Sequence, residues 1–144
     1  MLAAYQRLKK GDKDRVTLAL QHVGRSRCQI NPGNRAIDLA IALEVLFMNA
    51  EKDEHSYKIS LRAARLLRDA VEARRQIFAE VKATYELRSG MVHQGSAKGE
   101  VNVNGVRRTA HDIVDAVDIV CTEAIRKMLA LGAIPENWRD VELA

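Results

Sequence analysis

The residues RAIDLAIALEVLFMN, Arg35 to Asn49, are apolar on nearly every side of a helical wheel. A helix with so little polar surface belongs at the centre of a bundle, where neighbouring helices cover it all round. Asp38 and Glu44 interrupt the run, which is also shorter than the about 20 apolar residues that span a bilayer. Asn31-Pro32-Gly33-Asn34 precedes it and is the strongest breaker in the chain, with Asn34 the expected N-cap. Asp38 is expected to be exposed near the helix start, where its charge suits the dipole. Glu44, deeper in the helix, needs a partner, because an unpaired buried carboxylate costs several kcal/mol.

Outward from this centre, the chain reads as more helices. Residues 1–30 predict a short helix, a turn at Gly11–Asp14, and a second helix through Val16, Leu18, Leu20 and Val23. After the central helix, an amphipathic helix is expected from about Asp53 to Asp69. Ile59, Ala63, Leu66 and Leu67 face inward, while Lys58, Arg62 and Arg65 line another side. From Glu72 to Val92 the spacing of Ile77, Val81, Tyr85, Arg88 and Val92 follows one helical face, which sets Arg88 on or beside the buried stripe. Residues 94–108 are polar and glycine-rich, a loop with a small hairpin around Asn104-Gly105. Thr109 and Asp112 then form a capping-box-like start to a last helix that runs to Gly132, with Pro135 beyond it. The fold class is all-α, an antiparallel bundle of four or five helices in a single domain over residues 1–144.

Composition supports a globular domain: 47% apolar and 29% charged residues, with aromatics only 4%, so Leu, Ile, Val and Ala build the core. The net charge of +4 is uneven. Residues 1–30 hold seven Lys/Arg against Asp12 and Asp14, a local +5 that leaves the remainder at −1. A basic segment of this kind favours a polyanion such as RNA, and a solvated helix surface accounts for it equally well. Cys28 and Cys121 belong to no CxxC pair and are read as reduced thiols of a cytoplasmic protein. The N-terminal residues lack the charge order of a signal peptide, and no membrane partner is expected.

The stretch YELRSGMVHQG, Tyr85 to Gly95, carries the candidate chemistry. Arg88 and His93 stand five positions apart, so on an unbroken helix their side chains diverge by about 140°. They converge if the helix unwinds near Gly90, or if His93 meets groups from a second copy of the chain. The pair suits RNA cleavage without a metal. An imidazole, with an ordinary pKa of about 6.5, exchanges a proton with a ribose 2′-OH or a leaving 5′-oxygen. A guanidinium holds the phosphate and the charge that builds on it. The expected products are a 2′,3′-cyclic phosphate and a 5′-hydroxyl, and DNA lacks the group that reacts. A histidine at a helix end with a surface arginine explains the pair as well.

Supporting residues follow from position. Arg88 is the expected partner of Glu44, either as a structural brace or to aim the guanidinium. Tyr85, one turn before Arg88, is a core residue or a base-stacking one. Lys58, Arg62 and Arg65 form a basic stripe that tracks an RNA backbone or is simply solvated. His22, His55 and His111 show neither HxH nor HxxxH spacing, so no metal site is expected. No cofactor is expected either, since there is no GxGxxG or P-loop pattern. Ser89 beside His93 is too casual an arrangement for a serine hydrolase.

IALEVLF of the central helix, EHSYKISLRAARLL and IFAEVKATYELRSGMVHQG together resemble the HEPN superfamily, in particular its Apea-like branch. The resemblance spans roughly residues 34–95, with IPENW near the end a looser match. It implies an antiparallel helical bundle whose third core helix ends in an R-x4-6-H motif, matched here by Arg88 and His93, with a polar Ser89 after the arginine. It also implies a homodimer joined through the motif helices, two motifs sharing one cleft, and metal-independent ribonuclease activity in phage defence or toxin systems. A regulatory domain or antitoxin is a further implied partner, because such domains often end longer proteins. Other members have lost activity, so the alternatives are a module that binds RNA, a nucleotide or a protein without cleaving, and a structural dimerisation domain.

Overall fold

The computed structural model describes residues 1–51 and 55–144. Among them are α1 (Leu2–Arg7), α2 (Lys10–Arg27), α3 (Pro32–Phe47), α4 (His55–Leu67) and α5 (Val71–Gln94). A hairpin of β1 (Glu100–Val103) and β2 (Val106–Thr109) comes next, then α6 (Ala110–Leu131) and α7 (Trp138–Glu142). The all-α expectation holds: five long helices form the bundle, two short ones flank it, and the hairpin is the sole sheet among the described residues. The start expected for α4 at Asp53 lies outside the described residues.

The all-round apolar character of α3 has the predicted consequence. Helices α2, α4, α5 and α6 all pack against it, and Leu39, Ala40, Ala42, Leu43, Leu46 and Phe47 are fully buried. Its N-cap is Asn31 rather than Asn34. The Asn31 side chain accepts from the N–H groups of Gly33 (2.7 Å) and Asn34 (3.3 Å), and Pro32 takes the first helical position, where its missing N–H is not needed. Asp38 is buried rather than exposed. It sits 3.0 Å from His22 Nδ1 and 3.7 Å from Arg25 Nε, so its charge is matched by α2 and not by the α3 dipole.

The turn expected at Gly11–Asp14 is the opening of α2; the break lies earlier, at Leu8 and Lys9. Asp12 explains the difference, because it is buried and its Oδ2 accepts from the Ile134 N–H, tying this helix to the segment after α6. The hairpin forms where Asn104-Gly105 predicted it. Both turn residues have positive φ (52° and 83°), the mirror-image turn that suits the twist of paired strands. Thr109 caps α6 by accepting from the Asp112 N–H at 3.1 Å, and Gly132 ends that helix in the left-handed conformation.

Helix α7 is an addition to the expected elements. Its Trp138 is buried against Phe47, with ring centroids 5.3 Å apart, and joins the core. Cys121 is buried, as a packed core thiol should be, whereas Cys28 is exposed. No described helix is long and apolar enough to cross a membrane.

Candidate functional site

Helix α5 carries the site. It runs without interruption through Gly90 and ends at Gly95, whose left-handed backbone (φ 73°) lets its N–H reach the Met91 carbonyl. Unwinding near Gly90, one of the two routes to convergence, therefore does not occur, and Gly90 has another purpose. A Cβ there would stand 3.0 Å from the Ser96 carbonyl oxygen, because the chain turns back at Gly95 and crosses the helix at this point. The glycine permits a close backbone approach, and that approach sets the loop beside His93.

Since the helix is continuous, Arg88 and His93 lie about 140° apart around it and about 7.5 Å apart along it. One chain does not bring them together. His93 is exposed in the last turn, facing a concavity of about 460 Å³. Glu86, Ser89 and Gly90 of the helix and Ser96 and Lys98 of the returning loop form its walls, and Lys98 pairs with Glu86 at 3.0 Å. The loop through Ser96 beside His93 is expected from the sequence, whereas Lys98 is not, and the signal for it is Gly95, a residue that reverses the chain.

Arg88 is half-buried on another flank of α5, with its guanidinium carbon 5.9 Å from the centre of the Tyr85 ring. The expected ion pair with Glu44 is not what forms. Glu44 Oε1 instead accepts from the Tyr85 hydroxyl at 3.3 Å and lies 3.9 Å from His55 Nδ1. Tyr85 thus stands between carboxylate and guanidinium, its hydroxyl facing Glu44 and its ring facing Arg88. Burial, reinforced by the Glu44 charge, pushes the Tyr85 pKa well above its usual value and keeps the hydroxyl a donor.

Arg88 differs from the other sheltered arginines. Arg15, Arg35, Arg62, Arg65, Arg68, Arg74 and Arg108 are each at least half-buried, and each donates at least one side-chain hydrogen bond within the protein. Arg88 donates none to the described residues, although its position restricts its access to water. With no donor spent on the described residues, the guanidinium can hold an anion from outside.

The basic stripe on α4 is the clearest correction. Arg62 is 5% exposed and belongs to the core. It donates to Glu51 (2.7 Å), Glu142 (2.9 Å) and the Phe47 carbonyl (2.7 Å), and its guanidinium lies 5.5 Å from the centre of the Trp138 ring. It joins α4, the end of α3 and α7, so it tracks no RNA. Burial alone would raise the Glu51 pKa, but hydrogen bonds from Arg62 and from backbone N–H groups, with the Arg62 charge, bring it down to about 2. Arg65 donates to the Ala144 carbonyl at 2.8 Å, and Lys58, two turns earlier on the same face of α4, is half-buried.

Among the described residues, no three His, Cys, Asp or Glu side chains come close enough to hold a metal ion. Compared with protein-family models, curated proteins and solved structures, the chain matches none.

Proposed function

We propose that the chain is a metal-independent endoribonuclease of the HEPN kind whose active site is composite, made when two copies join near the ends of their α5 helices. His93 of one copy moves the proton and Arg88 of the other holds the phosphate. The observation that carries this reading is the half-buried Arg88, which donates no side-chain hydrogen bond to the described residues, on the same helix end as an exposed histidine. The divergence of the two side chains within one chain is what requires a second copy.

In this reading the imidazole takes the proton of a ribose 2′-OH as the 2′-oxygen attacks the adjacent phosphorus. The bond from phosphorus to the 5′-oxygen breaks, and that oxygen regains a proton. The products are a 2′,3′-cyclic phosphate and a 5′-hydroxyl, while the guanidinium stabilises the charge on the non-bridging oxygens. Tyr85 and Glu44 act as positioning residues, holding Arg88 from below. Ser89 lies at the rim of the His93 concavity. The resemblance to defence and toxin nucleases supports a role in the cytoplasm, restraining growth by cutting cellular RNA.

The divergence also favours a second reading, in which each copy grips RNA without cutting it. Incubating 5′-labelled RNA with the protein in EDTA separates the two. Cleavage that leaves cyclic-phosphate ends and disappears in His93→Ala and Arg88→Ala supports the nuclease; tight binding of intact RNA supports the binding module.

A further inference from the structure

Three concavities follow one another along the outer side of α5. The first, of about 300 Å³, has an apolar floor including Leu61, Val71 and Phe78 and a rim of Arg65, Arg74 and Arg75. The second, of about 550 Å³, shares Phe78 and Asn104 with the first and adds Lys82 and Asn102. The third is the His93 concavity, which shares Glu86 with the second. Through these shared residues the three form a row, the trough, from the arginine cluster to His93. Arg75, Lys82, Ser89 and His93 fall at spacings of seven, seven and four residues, which keeps them on one side of the helix.

The chemistry along the trough is graded. Phe78 lines both the first and the second concavity, and the exposed Tyr57 meets it edge-on, with ring centroids 5.7 Å apart. Five cations, Arg65, Arg74, Arg75, Lys82 and Lys98, line the trough or its rim against the carboxylate Glu86, and Glu72 pairs with Arg75 beside it. The pairs Arg75–Glu72 and Lys98–Glu86 are solvent-exposed, so they hold weakly and exchange readily for a phosphate. Arg74 uses its Nε on the Arg68 carbonyl, and among the described residues Lys82 reaches only the Ser56 hydroxyl, at 3.4 Å. Asn102 and Asn104 of the hairpin supply amides on the opposite wall.

Cations interleaved with aromatic rings in a continuous groove are what a single nucleic-acid strand needs: charge for its backbone and flat surfaces for unstacked bases. We infer that Phe78, Tyr57 and Arg75 form a remote base-docking subsite for single-stranded RNA, about 22 Å along α5 from His93, joined to it by the trough. The inference rests on the nuclease or RNA-binding reading above, and it adds a requirement on the substrate. RNA must extend about four nucleotides or more from the cut to engage the subsite, so short oligonucleotides lose this contribution. A duplex presents no free bases and gains nothing from the rings.

The test uses the full chain carrying His93→Ala, so that RNA stays intact, and reads binding of fluorescein-labelled RNA by anisotropy. In that background Arg75→Glu with Lys82→Glu, both surface changes that leave the core intact, should weaken a 12-mer by about tenfold or more and flatten its salt dependence. Phe78→Ala should weaken the 12-mer similarly, while a trinucleotide and the Arg126→Glu control on α6 show no change. Equal binding of a 12-base-pair duplex, no binding of the 12-mer, or a 12-mer indifferent to the charge reversals would each overturn the subsite. Failure of the nuclease reading looks different: wild-type protein binds the 12-mer through this trough and leaves it uncut.

Discussion

Replacing Arg62 with methionine should destabilise the protein severely, although in sequence the residue belongs to a surface stripe. Methionine keeps much of the side-chain length but removes the donors to Glu51, Glu142 and the Phe47 carbonyl. Breaking a fully buried ion pair by removing one partner costs about 3–5 kcal/mol. The two carboxylates here keep 26% and 25% of their side-chain exposure, so water compensates in part and about 2–3 kcal/mol remains. With 144 residues and about 2.1 cal/mol/K of unfolding entropy per residue, that loss lowers Tm by about 7–10 °C. The pH dependence has a definite sign. Glu51 is depressed from its usual 4.5 to about 2, so the stability it supplies is complete above about pH 4.5 and lost as the pH falls toward 2. Circular-dichroism melts of both proteins should show the full gap at pH 7 and a narrower one near pH 2.5. A variant melting within about 2 °C of wild type at pH 7, or a gap that does not narrow in acid, would refute the role assigned to Arg62.

The remaining predictions concern the site and its supports. Gly90→Ala should lower Tm by about 3 °C in a thermal melt, because its Cβ would press on the Ser96 carbonyl; a rise, as expected for an ordinary helical glycine, would remove the close-approach argument. Tyr85→Phe should cost about 1 kcal/mol by denaturant titration, since Glu44 loses its hydroxyl donor, and should reduce RNA cleavage less than Arg88→Ala does, because the ring under the guanidinium remains. Thr109→Ala removes the side-chain cap of α6 and should cost about 1 kcal/mol by the same titration, with no change in RNA binding.

Local rules carried the sequence reading furthest. The apolar belt of α3, the Asn104-Gly105 turn and the Thr109 cap each depend on residues next to one another, and each forms where expected. Apart from the N-cap of α3, which is Asn31 rather than Asn34, the failures are long-range. Arg62 has the helical spacing of a surface residue, and its burial depends on Glu51, the Phe47 carbonyl and Glu142, the last 80 positions later. Asp38 is internal because His22 on α2 reaches it. Gly90 looked like a break in α5 because the crossing of Ser96 over the helix is a tertiary event, invisible to periodicity. At the site, the spacing of Arg88 and His93 correctly implied divergence on an unbroken helix. The role of Tyr85 between Arg88 and Glu44 had no signature, since a tyrosine at that position is equally at home in a core.

The composite site is tested most directly by mixing two inactive variants. Arg88→Ala and His93→Ala proteins, each without activity on labelled RNA in EDTA, are unfolded together, refolded and assayed. If Arg88 of one copy works with His93 of the other, half the dimers are mixed and each holds one intact site, so about a quarter of wild-type cleavage returns. Recovery at that level, with cyclic-phosphate ends, is the predicted result. Wild-type protein that cuts RNA while the refolded mixture stays inactive would contradict a site shared between copies.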